Sequence, residues 1–399
     1  MRAPDHSCAL GCNVAERPAF KRATVVAISM ALFFLSHEFP CTHIWLGYLA
    51  NYHSEAVGRR TSLSWGETLR SAQGDRLFFA NVVPTREINV SSIVAAEKPS
   101  GVWETYTAAQ VGLPSDNIYS LATDGSNNLW VGTDKGIARY DGQGWSVYSV
   151  QANFTFAILA DKNETWLGTD AGLFLLRDGS LIHYNRSQGD LPSDLVRVIL
   201  KDTQGNIWAG TDKGIGIFNG RTWVALNRAN SSLPNDVINA LSMGKDGRIW
   251  IGTDGGVAVF QSGRWTVYRS ARSGLASNYV HALALDEASG DVWFGTSGGL
   301  SRLNEKRLFR KWLTFTPDNS KLLSYNVYAL TLDQNRRLWI GTDRGLNCFD
   351  SKGKWCSYTP AQGRSGADSI SGMVIDKDGN LWLRTNGGIG RLPASVVRN

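Results

Sequence analysis

The sequence predicts an all-β fold, a seven-bladed β-propeller of four-stranded antiparallel blades. Two observations predict the blades. One phrase recurs seven times: Leu129-Trp-Val-Gly-Thr133, Thr165-Trp-Leu-Gly-Thr169, Ile207-Trp-Ala-Gly-Thr211, Ile249-Trp-Ile-Gly-Thr253, Val292-Trp-Phe-Gly-Thr296, Leu338-Trp-Ile-Gly-Thr342 and Leu381-Trp-Leu-Arg-Thr385. Its tryptophans, at 130, 166, 208, 250, 293, 339 and 382, are spaced 36 to 46 residues apart, the length of one propeller blade. The chain also holds 42 glycines and 15 tryptophans in 399 residues, which suits many short strands, tight turns and one bulky aromatic per unit. A helical repeat of similar period is disfavoured, because the units are crowded with β-branched and aromatic residues and Gly turns. A third observation predicts how the ring closes, and it comes from the two ends of the chain.

The N-terminal hundred residues lack the repeat. Residues 1–22 carry Arg17, Lys21 and Arg22 ahead of an apolar run, Ala23 to Leu35, which His37-Glu38 interrupts before a weaker stretch, Ile44 to Ala50. An apolar core of about 7–15 residues fits a signal peptide, and part of both stretches together fits a tilted anchor. No small-x-small cleavage site lies close downstream, so residues 23–50 stand as signal peptide or membrane anchor. Positive charge on their N-terminal side favours export of the propeller, to the periplasm or the extracellular face. Residues 51–100 read as a linker, partly irregular, with a few possible strands.

The propeller then occupies 101–393, and each unit resolves into strands A to D. Strand A ends in an acidic turn, as in Ile118 to Asp124 or Val280 to Asp286. Strand B carries the tryptophan phrase. A turn such as Asp134-Lys-Gly136 leads into strand C, and one such as Asp141-Gly142 into strand D, with Trp145 and Tyr148. These turns use Gly for positive φ and Asp for bonds to its own backbone. The last unit has its A, B and C strands, but only a tail, 394–399, comes after Leu392, without a Trp-x-x-Tyr pattern. An orphan Trp103-Glu-Thr-Tyr106 precedes the first A strand. The N-terminal strand is therefore expected to complete the last blade, which removes an exposed edge.

The phrase Trp-x-Gly-Thr-Asp-x-Gly-[Ile/Leu/Val], preceded by Leu113-Pro-Ser-Asp116, Leu191-Pro-Ser-Asp194 or Leu233-Pro-Asn-Asp236, resembles the two-component-regulator propeller repeat over residues 102 to 392. The resemblance implies a sensor-type propeller like those of bacterial hybrid sensor proteins, some of which respond to carbohydrates. A single propeller without kinase, receiver or DNA-binding module is expected here, feeding a signalling system through a separate partner. Local departures are Ser297 and Asn386 in place of the turn Asp, and Arg384 in place of the phrase Gly.

Composition narrows the function. The formal charge of +6 comes without a block of five or six like charges or interleaved aromatics, so a nucleic-acid groove is not expected. Five cysteines fit neither a zinc cluster nor a dense disulfide framework; no metal or other cofactor is expected. Cys348 and Cys356 would face each other if Phe349 pairs with Trp355 across strands C and D of the sixth unit, and they would bond there or pack as free thiols. The turn residues Asp134, Asp170, Asp212, Asp254 and Asp343 recur once per unit and are read as caps of their own turns. The phrase tryptophans are read as packing between blades.

Variation at an otherwise regular position marks the candidate site. Around the third residue of strand A the copies share small or branched apolar types. The next position disagrees: Tyr119, Phe156, Arg197, Asn239, His281, Tyr328 and Ser371. These seven are expected in one ring near the mouth of the central channel, where aromatic faces, a guanidinium, an amide and an imidazole suit a polar, partly flat ligand such as an oligosaccharide. The competing placement is in the blade interfaces, by strand alternation. Catalysis of the lyase or hydrolase kind is the rival function, with its site at the same mouth. The propeller holds two histidines, His183 on an outer strand and His281, and no Ser-His-Asp set or metal spacing. A protein-docking platform is the third reading, separated from ligand binding by whether the mouth is a deep polar cavity or a broad apolar patch.

Overall fold

In the computed structural model of the chain, the described residues are 78–79, 86–89, 103–161, 163–308, 311–359 and 369–397, all within one compact unit, Gly66–Asn399. The expected signal peptide or anchor, 23–50, and the segment before it lie outside them. Among the described residues no helix is long and apolar enough to cross a membrane.

Seven antiparallel sheets form the propeller, each ordered A-B-C-D from the channel outward. Their A strands, which line the channel, are Ile118–Thr123, Thr155–Ala160, Val196–Lys201, Ile238–Met243, Val280–Asp286, Val327–Leu332 and Ile370–Ile375 for blades 1 to 7. Blade 7 has B (Leu381–Thr385) and C (Gly388–Leu392) from the end of the repeat, and its fourth strand is Glu104–Tyr106. Glu104 pairs with Arg391, Thr105 with Gly390 and Tyr106 with Ile389. The predicted closure is thus the observed one. Around it, Arg391 bonds Glu104 at 3.1 Å and lies 5.6 Å over the Trp382 ring, while Tyr106 donates to Glu104 at 2.8 Å. Burial and then the Glu104 carboxylate push the Tyr106 hydroxyl up to about 12.

Two features add detail to the sequence reading. Strands Arg86–Asn89 and Phe78–Phe79 arise within the expected linker and add a fifth strand to blades 1 and 2, pairing with Gly144–Tyr148 and Ser180–Tyr184. Outer D strands present unpaired backbone, so a preceding extended segment gains by joining them. The expected tail also forms a helical turn, Ala394–Val397, whose Val397 is buried beside Trp103 and Leu392. Its apolar pair Val396–Val397 finds a core to enter.

The phrase tryptophans do what their periodicity suggested. Trp130 packs with Leu167 and Phe174 of blade 2, Trp208 with Ile249 and Ile251 of blade 4, and Trp339 with Ile370 and Leu383 of blade 7. The ring closes with Trp382 of blade 7 against Leu129 and Val131 of blade 1. Each core belongs to a seam between neighbouring blades, so burial of large aromatics stabilises the ring and each blade depends on the next.

The acidic turn after strand A orients these indoles. Asp124, Asp202, Asp333 and Asp376 each accept a bond from the phrase indole Nε1, at 2.9 to 3.1 Å. The same carboxylates accept backbone N–H bonds from the residues two or four further on. A buried indole N–H needs an acceptor, and the turn supplies it while capping itself.

The second set of aspartates corrects the sequence reading. Asp134, Asp170 and Asp343 reach the loop before strand A, accepting from Asn117 at 2.8 Å, Asn153 at 2.9 Å and Asn326 at 3.0 Å. The phrase threonine caps the turn: Thr133 Oγ1 donates to the Gly136 carbonyl at 2.9 Å and accepts from Lys135 N–H at 3.0 Å. The threonine closes strand B just before the turn, so its hydroxyl spans the turn to the N–H two residues on and the carbonyl three residues on. The aspartate is left free to tie the incoming loop.

Candidate functional site

The mouth of the channel is built by one repeated irregularity. In every blade the A–B register slips between the first and third residues of strand A: Ile118/Ser120, Thr155/Ala157, Val196/Val198, Ile238/Ala240, Val280/Ala282, Val327/Ala329 and Ile370/Gly372. The residues skipped are Tyr119, Phe156, Arg197, Asn239, His281, Tyr328 and Ser371. A bulge frees its extra residue from the ladder and re-aims the side chain. The seven positions of the predicted ring are therefore the seven bulges, and all of them line one cavity of about 420 Å³ together with Leu195 and Arg384. The blade-interface placement does not occur. The cavity is a recess lined by aromatic and polar side chains together.

The residue after each bulge faces strand B of its own blade: Ser120 sits opposite Gly132 and Ala329 opposite Gly341. A Cβ at Gly132 would lie 2.6 Å from the Thr155 carbonyl of blade 2, and one at Gly341 2.6 Å from the Ile370 carbonyl of blade 7. The phrase glycine thus lets the next A strand approach. Blade 7 reverses the arrangement, pairing Gly372 with Arg384. A Cβ at Gly372 would meet the Arg384 side chain at 3.2 Å, so the small residue has moved across the strand pair to admit a large one.

Arg384 is the mouth residue that the ring alone missed, although its departure from the phrase was visible. Its guanidinium lies 5.4 Å over the Tyr119 ring and donates to the Tyr119 carbonyl at 2.6 Å. Burial pushes its pKa down, the Tyr119 side chain opposing. Going round from it, Tyr119 meets Phe156 edge-on at 5.5 Å and Phe154 at 5.2 Å, and Arg197 comes next, exposed, from blade 3. The other arc is tied by hydrogen bonds. Asn239 donates to Asp254 at 2.7 Å and to the Val280 carbonyl at 3.1 Å. His281 Nε2 sits 2.8 Å from Ser297 Oγ, and its ring 5.3 Å from Tyr328. Burial lowers the His281 pKa, Asp254 raises it and Arg197 lowers it, with a net fall. Ser297 is one of the turn-Asp departures, so the hydroxyl that meets His281 was also legible as an exception.

His183 lies elsewhere, on the D strand of blade 2, stacked on Phe174 at 4.2 Å. Cys348 and Cys356 face each other across strands C and D of blade 6, beside the Phe349–Trp355 pair, with Cα atoms 4.9 Å apart, and the structure joins them as a disulfide. Among the described residues, no group of three or more His, Cys, Asp or Glu side chains converges as metal ligands would.

These features define a class: a closed seven-bladed propeller whose bulged A strands present varied side chains at one channel mouth. Four of its repeats match the two component regulator propeller family, at residues 112–135, 190–213, 232–255 and 321–344. No curated protein matches the sequence. Among solved structures, the extracellular domain of a hybrid two component system from B. thetaiotaomicron is similar with a TM-score of 0.60 and 20% identity, over 73% of this chain and 39% of that one. This chain thus spans about two fifths of that relative's length. Streptogramin B lyase is similar with a TM-score of 0.59 and 15% identity, over 72% of this chain and 96% of that one. Virginiamycin B lyase from Staphylococcus aureus, solved as a catalytically inactive histidine variant with quinupristin, has a TM-score of 0.57 and 14% identity, over 72% and 97%. At these identities the likeness is one of fold.

Proposed function

We propose that this propeller is an exported, non-catalytic recognition domain that holds a small polar ligand such as an oligosaccharide at its channel mouth. One observation carries the reading: seven bulged side chains, different in nearly every blade, converge with Arg384 on one cavity while the blades around them repeat. Residues that only hold the ring together, such as the phrase tryptophans, repeat with it. A mouth lined by aromatic edges and scattered polar groups fits the usual make-up of a small-molecule site. Likeness in fold to an extracellular domain of a hybrid two component system supports sensing, with the signal passed through a separate partner. Residues 23–50 would then serve as the export signal or tether.

The test is a thermal-shift screen of the full chain against oligosaccharides and other small polar compounds. A ligand at 100 times its Kd adds about 2.7 kcal/mol of stability. Arg197→Ala and Tyr328→Ala should each weaken binding of any hit. Unchanged affinity in both would sink the mouth as the site, and silence across the panel would turn the reading to protein docking.

His281 favours a second reading, a lyase at the same mouth. Burial lowers its pKa and its Nε2 lies 2.8 Å from the Ser297 hydroxyl, and an imidazole in its unprotonated form can accept a proton. Product formation from a bound ligand, abolished in His281→Ala, would establish that reading.

A further inference from the structure

Resting on the reading of the mouth as a ligand site, we infer that its ligand is an organic anion, a ring-shaped molecule carrying a carboxylate, gripped between Arg384 and Arg197. The nine residues that line the cavity include these two arginines and no carboxylate. Neither arginine forms an ion pair with any described residue. The nearby acid, Asp254, is engaged by the Asn239 amide at 2.7 Å. Arg384 spends one N–H on the Tyr119 carbonyl, and its other donors have no partner among the described residues.

Arg384 is half-buried at the edge of the recess, and a guanidinium without a counter-charge there is a ready partner for an anion. Blade 7 makes two coordinated changes to hold the guanidinium there. The phrase glycine becomes Arg384 and the facing small residue becomes Gly372, whereas Gly341 faces Ala329 in blade 6 and Gly252 faces Ala240 in blade 4. Fastening one carbonyl needs no such charge, since Asn239 holds the Val280 carbonyl with a neutral amide.

Blade order places the recognition elements in sequence. Arg384 from blade 7, Tyr119 from blade 1, Phe156 from blade 2 and Arg197 from blade 3 form one arc, with the two cations flanking two aromatic rings that meet edge-on at 5.5 Å. An arginine fork binds a carboxylate through paired charge-assisted bonds, and aromatic surface takes the ring that bears it. A second recess of about 220 Å³ shares Tyr119, Ser371 and Arg384 with the mouth and continues past Asn117, Asn386 and Asp116 at the blade 7–blade 1 seam, where the Asp116 carboxylate accepts from the Ala108 N–H. It leaves room for a polar extension of the ligand.

The experiment is ligand-observed fluorine NMR of the full chain with 4-fluorobenzoate and its neutral isostere 4-fluorobenzamide. The benzoate should broaden and the benzamide should bind at least about tenfold more weakly, the difference expected of a charge-assisted pair. In Arg384→Gly/Gly372→Ala, which restores the strand pairing of the other blades and so should keep the fold, that preference should disappear. Equal binding of both probes to wild type would overturn the anion and leave mouth recognition standing. A benzoate preference that survives in the double variant would place the anion elsewhere and overturn the assignment. Broadening of neither probe would also overturn it, and the oligosaccharide screen would then judge the broader reading by itself.

Discussion

Substituting Gly341 by alanine tests whether the seams between blades are set by the phrase glycine. The added Cβ would lie 2.6 Å from the Ile370 carbonyl and 2.9 Å from Ile370 Cγ2 of blade 7. To restore an ordinary contact, the next A strand must retreat by roughly 0.8 Å from a core packed without slack. Trp339, Ile370 and Leu383 fill that seam with no exposed surface, and a closed ring passes any opening to its other seams. Overpacking of this kind costs about 1–3 kcal/mol, which lowers Tm by about 1.5–5 °C in a folded unit of roughly 300 residues. Gly387→Ala is the internal control. No atom would lie within 4 Å of its Cβ and its φ is not in the left-handed region. That variant should be neutral or gain up to about 1 kcal/mol through a stiffer unfolded chain. Differential scanning calorimetry of the two variants decides the matter. Equal melting temperatures would refute the reasoning, because the clash at Gly341 would then relax without cost.

Three further outcomes rest on contacts elsewhere in the ring. Trp103→Ala should destabilise the propeller by about 3–5 kcal/mol, since that ring is buried in the blade 7 core beside the closing strand; a loss under about 1 kcal/mol in calorimetry, well below the usual cost of such a truncation, would mean the closure contributes little. At Asp202, burial pushes the carboxyl up, but bonds from Trp208 and Asn206 outweigh it and hold it below its ordinary value. Its stabilisation is therefore present above the unfolded value near about 3.9 and lost as pH falls through the folded one. Asp202→Asn should cost about 1–3 kcal/mol at about pH 7 and flatten the acid limb of the stability curve, which urea titrations from neutral to strongly acid pH would reveal. Reducing the Cys348–Cys356 bond, which closes a loop with a separation of 8, should cost about 2–3 kcal/mol. Two alkylatable thiols in oxidised native protein would remove the bond from the account.

Much of the architecture was legible because a propeller is a local pattern repeated. Phrase spacing set the blade count, and a blade with three strands beside an orphan strand elsewhere set the closure. Each inference used residues within one unit, where strand alternation and turn chemistry act over a few positions. The mouth was legible for a related reason: internal copies served as comparisons, so a position that disagreed stood out. Tertiary structure decided the features that depend on neighbours. The bulge that turns Tyr119 and its six counterparts into the mouth arises from strand pairing. The destination of Asp134, Asp170 and Asp343 depends on an incoming loop 16 or 17 residues earlier in the chain. The fifth strands on blades 1 and 2 depend on which outer edges an upstream segment reaches. Arg384 shows both sides. Its departure from glycine was written in the sequence, but its meaning required Gly372 across the pair and Tyr119 on the next blade. Sequence periodicity reports what each unit does for itself, whereas the side chains that meet at the mouth come from different units and meet only when the ring closes.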